Sequence, residues 1–301
     1  MPWALERTSW RGVRVDHPRD WEIALAAGPD EPPRCTFTDR HYHRLDVRWQ
    51  ETDHPPNLEL LLEKHRHSPK GELRDVSRLG GLPAGWSGVL RKGEGGCVTH
   101  AAKVFRDRRV LVEATLFWPG QRDTALEAAV LESVAVDAAG PVRLWQAMGM
   151  SLELGEQFRL RSSDSRVGRV QWQFATIGRD AATLTVERLA MPDCWLKGPL
   201  EDWLSEQVPP RHVAVTKTAT TFNEHSAHHQ VSRGKGSLGA TLRHLRPMRL
   251  DVAWLCEAEN RLYHLALARL SRGQELELPA SLAVRCCQPV PQAAGGPERR
   301  P

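Results

Sequence analysis

The chain has 301 residues, 41% hydrophobic and 26% charged, a balance that excludes an intrinsically disordered protein and suits one large domain or two of ordinary size. Its net charge of +4 is a mild positive bias, weaker than that of a domain built to grip nucleic acid. The opening MPWALERTSW has no apolar leader segment, and no run of about 18 apolar residues occurs, so neither secretion nor a membrane-spanning helix is expected and the cytoplasm is the expected location.

In chain order, GVRVDHPRDWEI (residues 12–23) alternates apolar and polar residues and then turns through His17 and Pro18 to place Trp21 in a core. RCTFTD (34–39) and RLDVRW (44–49) read as strands, with His41 and His43 in the turn between them. NLELLLEKHRH (57–67) has the apolar spacing of an amphipathic helix. RKGEGG (91–96) is a glycine turn, and VTHAAKVF and VLVEATLFW form a hairpin around RDRR (106–109). ALEAAVLESVAV (125–136) closes the first half with a short helix and a strand, and DAAGP (137–141) is a linker.

The second half repeats this order. GMSLELGEQFRL (149–160) echoes the opening stretch, and laying Phe158 on Trp21 also sets Leu160 on Ile23 and Phe174 on Phe37. VQWQFA (170–175), ATLTVERL (182–189), the helix-like GPLEDWLSEQV (198–208) and the turn SRGKGS (232–237) follow in step. MRLDVAWLC and LYHLALARL make a second hairpin around EAENR (257–261). ELELPASLAVRC (275–286) stands where the closing helix of the first half stands, weakened by Pro279. The expectation is an internal duplication of α+β class: two tandem antiparallel-sheet domains with flanking helices, residues 1–137 and 138–287, and a disordered Pro/Gly-rich tail, 288–301.

The pattern W-x-G-V-x-V-x-x-P-x-x-W-E (residues 10–22), followed by FTD and RLDVRW, resembles the opening of the Mog1/PsbP-like superfamily. The resemblance is best over residues 8–137; the second half has GEQF (155–158) where the Pro–Trp turn would stand. It implies a fold more than an activity. Many members of that superfamily bind other proteins, and none of their site residues can be carried over to this chain.

Candidate chemistry is sparse. GKGSLG (234–239) matches the glycine pattern of dinucleotide sites, but the strand-like sequence after it gives no helix N-terminus to meet a pyrophosphate, so it reads as a turn. His225, His228 and His229, with Glu224 beside them, would suit zinc on a helix. On the strand the repeat assigns there, His225 and His229 share a face and His228 does not, so no metal site and no cofactor are expected. The six cysteines (Cys35, Cys97, Cys194, Cys256, Cys286 and Cys287) show no C-x-x-C spacing and read as reduced thiols. Cys97 and His100 are neighbours in sequence without a third group to orient them, so no catalytic residues are expected.

The leading expectation is a non-catalytic protein-binding or assembly factor, because Trp and Arg are the residue types that anchor interfaces and the chain carries eleven Trp. The alternative is a nucleic-acid-binding accessory protein using Arg106, Arg108, Arg109, Arg243, Arg246 and Arg249 on surface loops. A third possibility is an enzyme using Cys97 and His100.

Overall fold

The computed structural model describes residues 3–66, 75–178, 181–235, 245–271 and 275–287. The tail 288–301 and most of GKGSLG lie outside the described residues. The chain divides into two units. Unit 1 takes residues up to 139 together with 144–148, and unit 2 takes residues 140–143 and those from 149 onward.

Unit 1 runs β1 (Leu5–Trp10), β2 (Val13–Pro18), β3 (Glu22–Ala26), β4 (Arg34–Thr38), β5 (His43–Glu51), α1 (Leu58–Arg66), β6 (Asp75–Arg78), β7 (Ser87–Gly93), β8 (Gly96–Phe105), β9 (Val110–Trp118), α2 (Thr124–Ser133) and β10 (Ala135–Val136). Then come β11 (Val142–Ala147), β12 (Met150–Gly155), β13 (Phe158–Arg166), β14 (Arg169–Thr176), β15 (Ala182–Ala190), α3 (Pro192–Trp195), α4 (Leu200–Glu206), β16 (His212–Phe222), β17 (His225–Gly234), β18 (Arg246–Cys256), β19 (Arg261–Ser271) and β20 (Ala283–Arg285).

The expected α+β class is overturned. The described residues are 56% strand and 12% helix, and the sheets are antiparallel. The helices at 57–67, 125–136 and 198–208 do form, but they are short, and the Pro279-weakened helix expected at 275–286 does not. There Pro279 stands in a turn, its carbonyl accepting from Leu282 N–H at 2.9 Å, and the chain goes on as β20. A proline in that window removes a helical donor and crowds the preceding turn.

Each unit is built on a seven-stranded sheet. The order is β3-β4-β5-β9-β8-β7-β6 in unit 1 and β13-β14-β15-β19-β18-β17-β16 in unit 2, the same path with every number raised by ten. In unit 1, Phe37 pairs with Leu45, which pairs across its other edge with Leu116. In unit 2, Phe174 pairs with Leu184, which pairs with Leu267. Phe37, Leu45, Leu116, Phe174 and Leu184 are fully buried and Leu267 nearly so. Each such side chain contributes about 1.5–3 kcal/mol of transfer free energy, so these rows form the spine of each core.

The covering helices follow from local sequence. The Asn57 side chain caps α1, its Oδ1 accepting from the N–H of Glu59 at 2.9 Å. Leu62 of α1 then packs on Val89, Ala102 and Leu111. In unit 2, Leu200 and Leu204, one helical turn apart, pack on Ala253 and Leu262. A small alanine lies under the helix in both units, Ala102 in one and Ala253 in the other.

The opening stretch GVRVDHPRDWEI is a packing device. Arg11 and Gly12 take φ of 49° and 85° between β1 and β2, and Met148 and Gly149 take 53° and 69° between β11 and β12. Two successive left-handed residues mark the primed turns that suit strand twist. Trp21 is buried. His17 is also buried: its Nδ1–H donates to the Pro18 carbonyl at 2.9 Å, and its Nε2 faces Thr8 Oγ1 at 2.9 Å. Burial depresses its pKa, so it is a neutral core histidine. Among the described residues no helix is long and apolar enough to cross a membrane.

Candidate binding surface

Unit 2 carries a surface with no counterpart among the described residues of unit 1. After β15 the chain reverses at Met191, which holds a left-handed φ of 50°, and Pro192 starts the single turn of α3. Met191 N–H donates to the Asn260 carbonyl at 3.1 Å, and the Asn260 amide donates to Asp193 at 3.0 Å, so the turn is tied to the β18–β19 connection. Trp195 ends α3, and its indole N–H donates to the Ala190 carbonyl at 2.8 Å. Pro199 then leads into α4, which turns Leu200 and Leu204 inward.

Trp195 stays on the outer side, its ring centroid 6.3 Å from that of Trp203, which packs against the cluster under α4. Met191 is 54% and Trp195 36% exposed, and Trp203 is half-buried. Asp193, Glu201, Asp202 and Glu206 are exposed on the same α3–α4 segment, with Lys197 the one exposed cation among them. The result is an aromatic and thioether patch with an acidic rim. Most of the other tryptophans, including Trp10, Trp145, Trp172 and Trp254, are buried in the cores. The corresponding connection in unit 1, TDHPPN (52–57), has no aromatic residue.

Under the patch lies a buried charged network. The Trp203 ring meets the His264 ring edge-on at 5.4 Å. His264 Nε2 is 2.9 Å from Asp251 and its Nδ1 is 3.3 Å from Glu187. Arg249 grips Asp251 through Nε and Nη2 at 2.7–2.9 Å, and Arg169 pairs with Glu187. Burial works against the imidazolium, but the two carboxylates outweigh it and hold the His264 pKa above its ordinary value. Burial likewise works to raise Asp251 and Glu187, and His264 with the arginines outweighs it and holds both low. Both ring nitrogens are engaged with carboxylates, so His264 has no free lone pair with which to act as a base. A recess beside α4, lined by Leu204, Lys217, His228 and Gln230 among others, has about 140 Å³, less than the roughly 300–1,000 Å³ of small-molecule sites.

Arg106, Arg108 and Arg109 are exposed on the β8–β9 turn, where Arg109 has φ 54° and Arg108 pairs with Asp107 at 3.3 Å. Arg246 is exposed on β18, Arg249 is committed to Asp251, and Arg243 lies outside the described residues. Cys97 and His100 do not meet. Three apart on β8, they point to opposite faces, Cys97 toward the Gly120 carbonyl and His100 toward Thr115. His41 lies within the β4–β5 connection and His43 opens β5, stacked on Phe117.

A constellation that sequence spacing hides also lies in unit 2. His225, Cys256, Cys286 and Cys287 bring one imidazole nitrogen and three sulfurs within 4.8 Å of one another. Of the histidines 225, 228 and 229, only His225 belongs to it. A faint signal was present in the sequence, since three of the six cysteines fall near strand ends of the second half.

No family model matches the chain, and no curated protein matches it. Among solved structures it is similar to immunity protein TplEi of T6SS from Pseudomonas aeruginosa. With TplEi complexed with an "L" peptide the identity is 10%, over 92% of this chain and 91% of that one, at a TM-score of 0.37. With the apo form of TplEi the identity is 11%, over 90% of each chain, again at 0.37. Similarity at this level assigns neither fold nor function.

Proposed function

We propose that the protein is a non-catalytic binding protein that engages another protein through the Met191–Trp195–Trp203 surface of unit 2. The observation that carries this reading is Trp195: its indole N–H is already satisfied by Ala190, yet its ring is held in the open beside Met191 and Trp203. A rigid aromatic anchor with a satisfied polar tip is the type of residue that dominates binding energy. The acidic rim favours a partner segment that offers an apolar anchor flanked by Lys or Arg.

The nucleic-acid alternative has less behind it, because Arg249 is spent on Asp251 and Arg108 is paired with Asp107.

The test uses a photo-crosslinking residue at position 195 and, as a control, at the fully exposed Val167. The expected result is a partner captured from position 195 and not from 167, whose affinity for the wild-type chain falls at least about tenfold with Trp195→Ala. Equal capture at the two positions, or unchanged affinity in the variant, overturns the reading.

A further inference from the structure

We propose that His225, Cys256, Cys286 and Cys287 form a tetrahedral Zn²⁺ site in unit 2. This inference does not depend on the binding surface described above.

Three thiols and one imidazole make the Cys₃His set that structural zinc uses, and soft thiolate ligands favour Zn²⁺ over the hard cations. A tetrahedral zinc with Zn–S of about 2.3 Å and Zn–N of about 2.0 Å sets its ligand atoms about 3.5–3.8 Å apart. Here His225 Nε2 is 3.3 Å from Cys286 Sγ and 3.2 Å from Cys287 Sγ, and all four donors lie within 4.8 Å of one another. Cys256 Sγ and Cys287 Sγ approach to 2.7 Å. Coordination to one ion would relax that pair outward while keeping the tetrahedron's size.

The fold delivers these ligands from three places. Ala227 pairs with Trp254 between β17 and β18, and two further steps along that register set His225 at the start of one strand beside Cys256 at the end of the other. Cys286 and Cys287 follow β20, which is held on β12 through Leu152 and Val284. The Asn223 amide, in the turn just before His225, donates to the Val284 carbonyl and so draws that turn toward β20.

Supporting contacts orient the cluster. Cys287 takes φ 58°, a left-handed conformation that costs a residue with a Cβ and that persists only where its surroundings impose it. Its N–H donates to Glu259 Oε1 at 3.0 Å, and the other oxygen of Glu259 accepts from the Tyr263 hydroxyl at 2.6 Å. Glu259 is therefore a positioning residue that fixes the Cys287 backbone. A hydrogen-bonded carboxylate behind a ligand is the usual outer support of a metal site.

The fold itself does not require these residues. Unit 1 follows the same strand path, and at the positions that the register matches to His225 and Cys256 it has Ala84 and Phe105, with Asp137 and Ala138 after β10. Among the described residues the cluster belongs to unit 2. A bound ion there would staple the segment after β20 to the β17–β18 strand ends, closing loops of 31 and 61 residues.

The test uses the full chain, purified without oxygen, stripped with a chelator under reducing conditions and titrated with Co²⁺ alone. The expected result is one equivalent bound, with the intense visible d–d bands of a tetrahedral thiolate site, and complete bleaching on addition of Zn²⁺. The double variant Cys286→Ser, Cys287→Ser should lose at least about a hundredfold in Co²⁺ affinity, Glu259→Gln should lose about tenfold, and Cys194→Ser, outside the cluster, should bind like wild type. The wild-type spectrum decides the matter even if a ligand variant fails to fold. Absence of the tetrahedral bands in the reduced wild-type chain overturns the proposal. So does a spectrum that survives loss of both Cys286 and Cys287, or a denatured thiol count two below the six cysteines in the anaerobically purified chain, the mark of a Cys256–Cys287 disulfide.

Discussion

His264 Nε2 lies 2.9 Å from Asp251 Oδ1, inside a sheet face roofed by Trp203. Because the folded pKa of His264 is raised, the protonated form stabilises the native state fully below its unfolded value of about 6.5 and loses that contribution as pH rises through the folded value. Asp251 and Glu187 are depressed, so their contribution is present above about pH 4 and disappears as pH falls through their folded values. The stability difference in urea between the wild-type chain and His264→Gln should therefore be largest between about pH 4.5 and 6.5 and shrink as pH rises above it, whereas the buried neutral His17 makes the wild-type curve itself slope downward below about pH 6.5. His264→Gln should cost about 3 kcal/mol at pH 6 and less on the alkaline side. A cost that does not shrink there would assign the titration to another group.

The β7–β8 turn separates two adjacent glycines. Gly96 has φ 137°, and a Cβ there would run into the carbonyl oxygen of Trp118, a backbone atom that cannot step aside. At Gly95 a Cβ would meet nothing within 4 Å. Gly96→Ala should lose at least about 2 kcal/mol, while Gly95→Ala should stay within about 0.5 kcal/mol. Chemical denaturation followed by tryptophan fluorescence distinguishes them.

Tryptophans of the core and of the surface should respond oppositely. Trp10 is fully buried and its indole donates to the Ala27 carbonyl at 3.0 Å, so Trp10→Ala should cost about 3–5 kcal/mol. Trp195→Ala should cost no more than about 1 kcal/mol and act on partner affinity instead. A stability loss at Trp195 as large as at Trp10 would make it a structural residue.

Helix α2 has a single side-chain cap, Asp123, whose Oδ1 accepts from Leu126 N–H at 2.9 Å. Asp123→Ala should lower stability by about 1 kcal/mol, and Asp123→Ser should recover most of it. Thermal unfolding monitored by circular dichroism reads both.

Much of the local architecture was legible in the sequence, because strand alternation, hairpin turns and helix spacing are short-range patterns. Residues 98–118 and 248–270 form the hairpins their period-2 alternation predicts, and Phe37 and Phe174 occupy equivalent register positions in their sheets. The α+β expectation fails because short amphipathic windows stand out in the sequence, whereas a strand such as β16, exposed along nearly its whole length, has no buried face to impose an apolar alternation.

What the sequence by itself determined is the string of strands, turns and core positions, since each depends on neighbours a few residues away. Only the tertiary structure decided that Trp195 and Trp203 would share a surface and Trp172 and Trp254 a core. It alone brought His225, Cys256, Cys286 and Cys287 together. Those ligands are set by cross-strand register and by where β20 pairs, which are long-range contacts that no local spacing encodes.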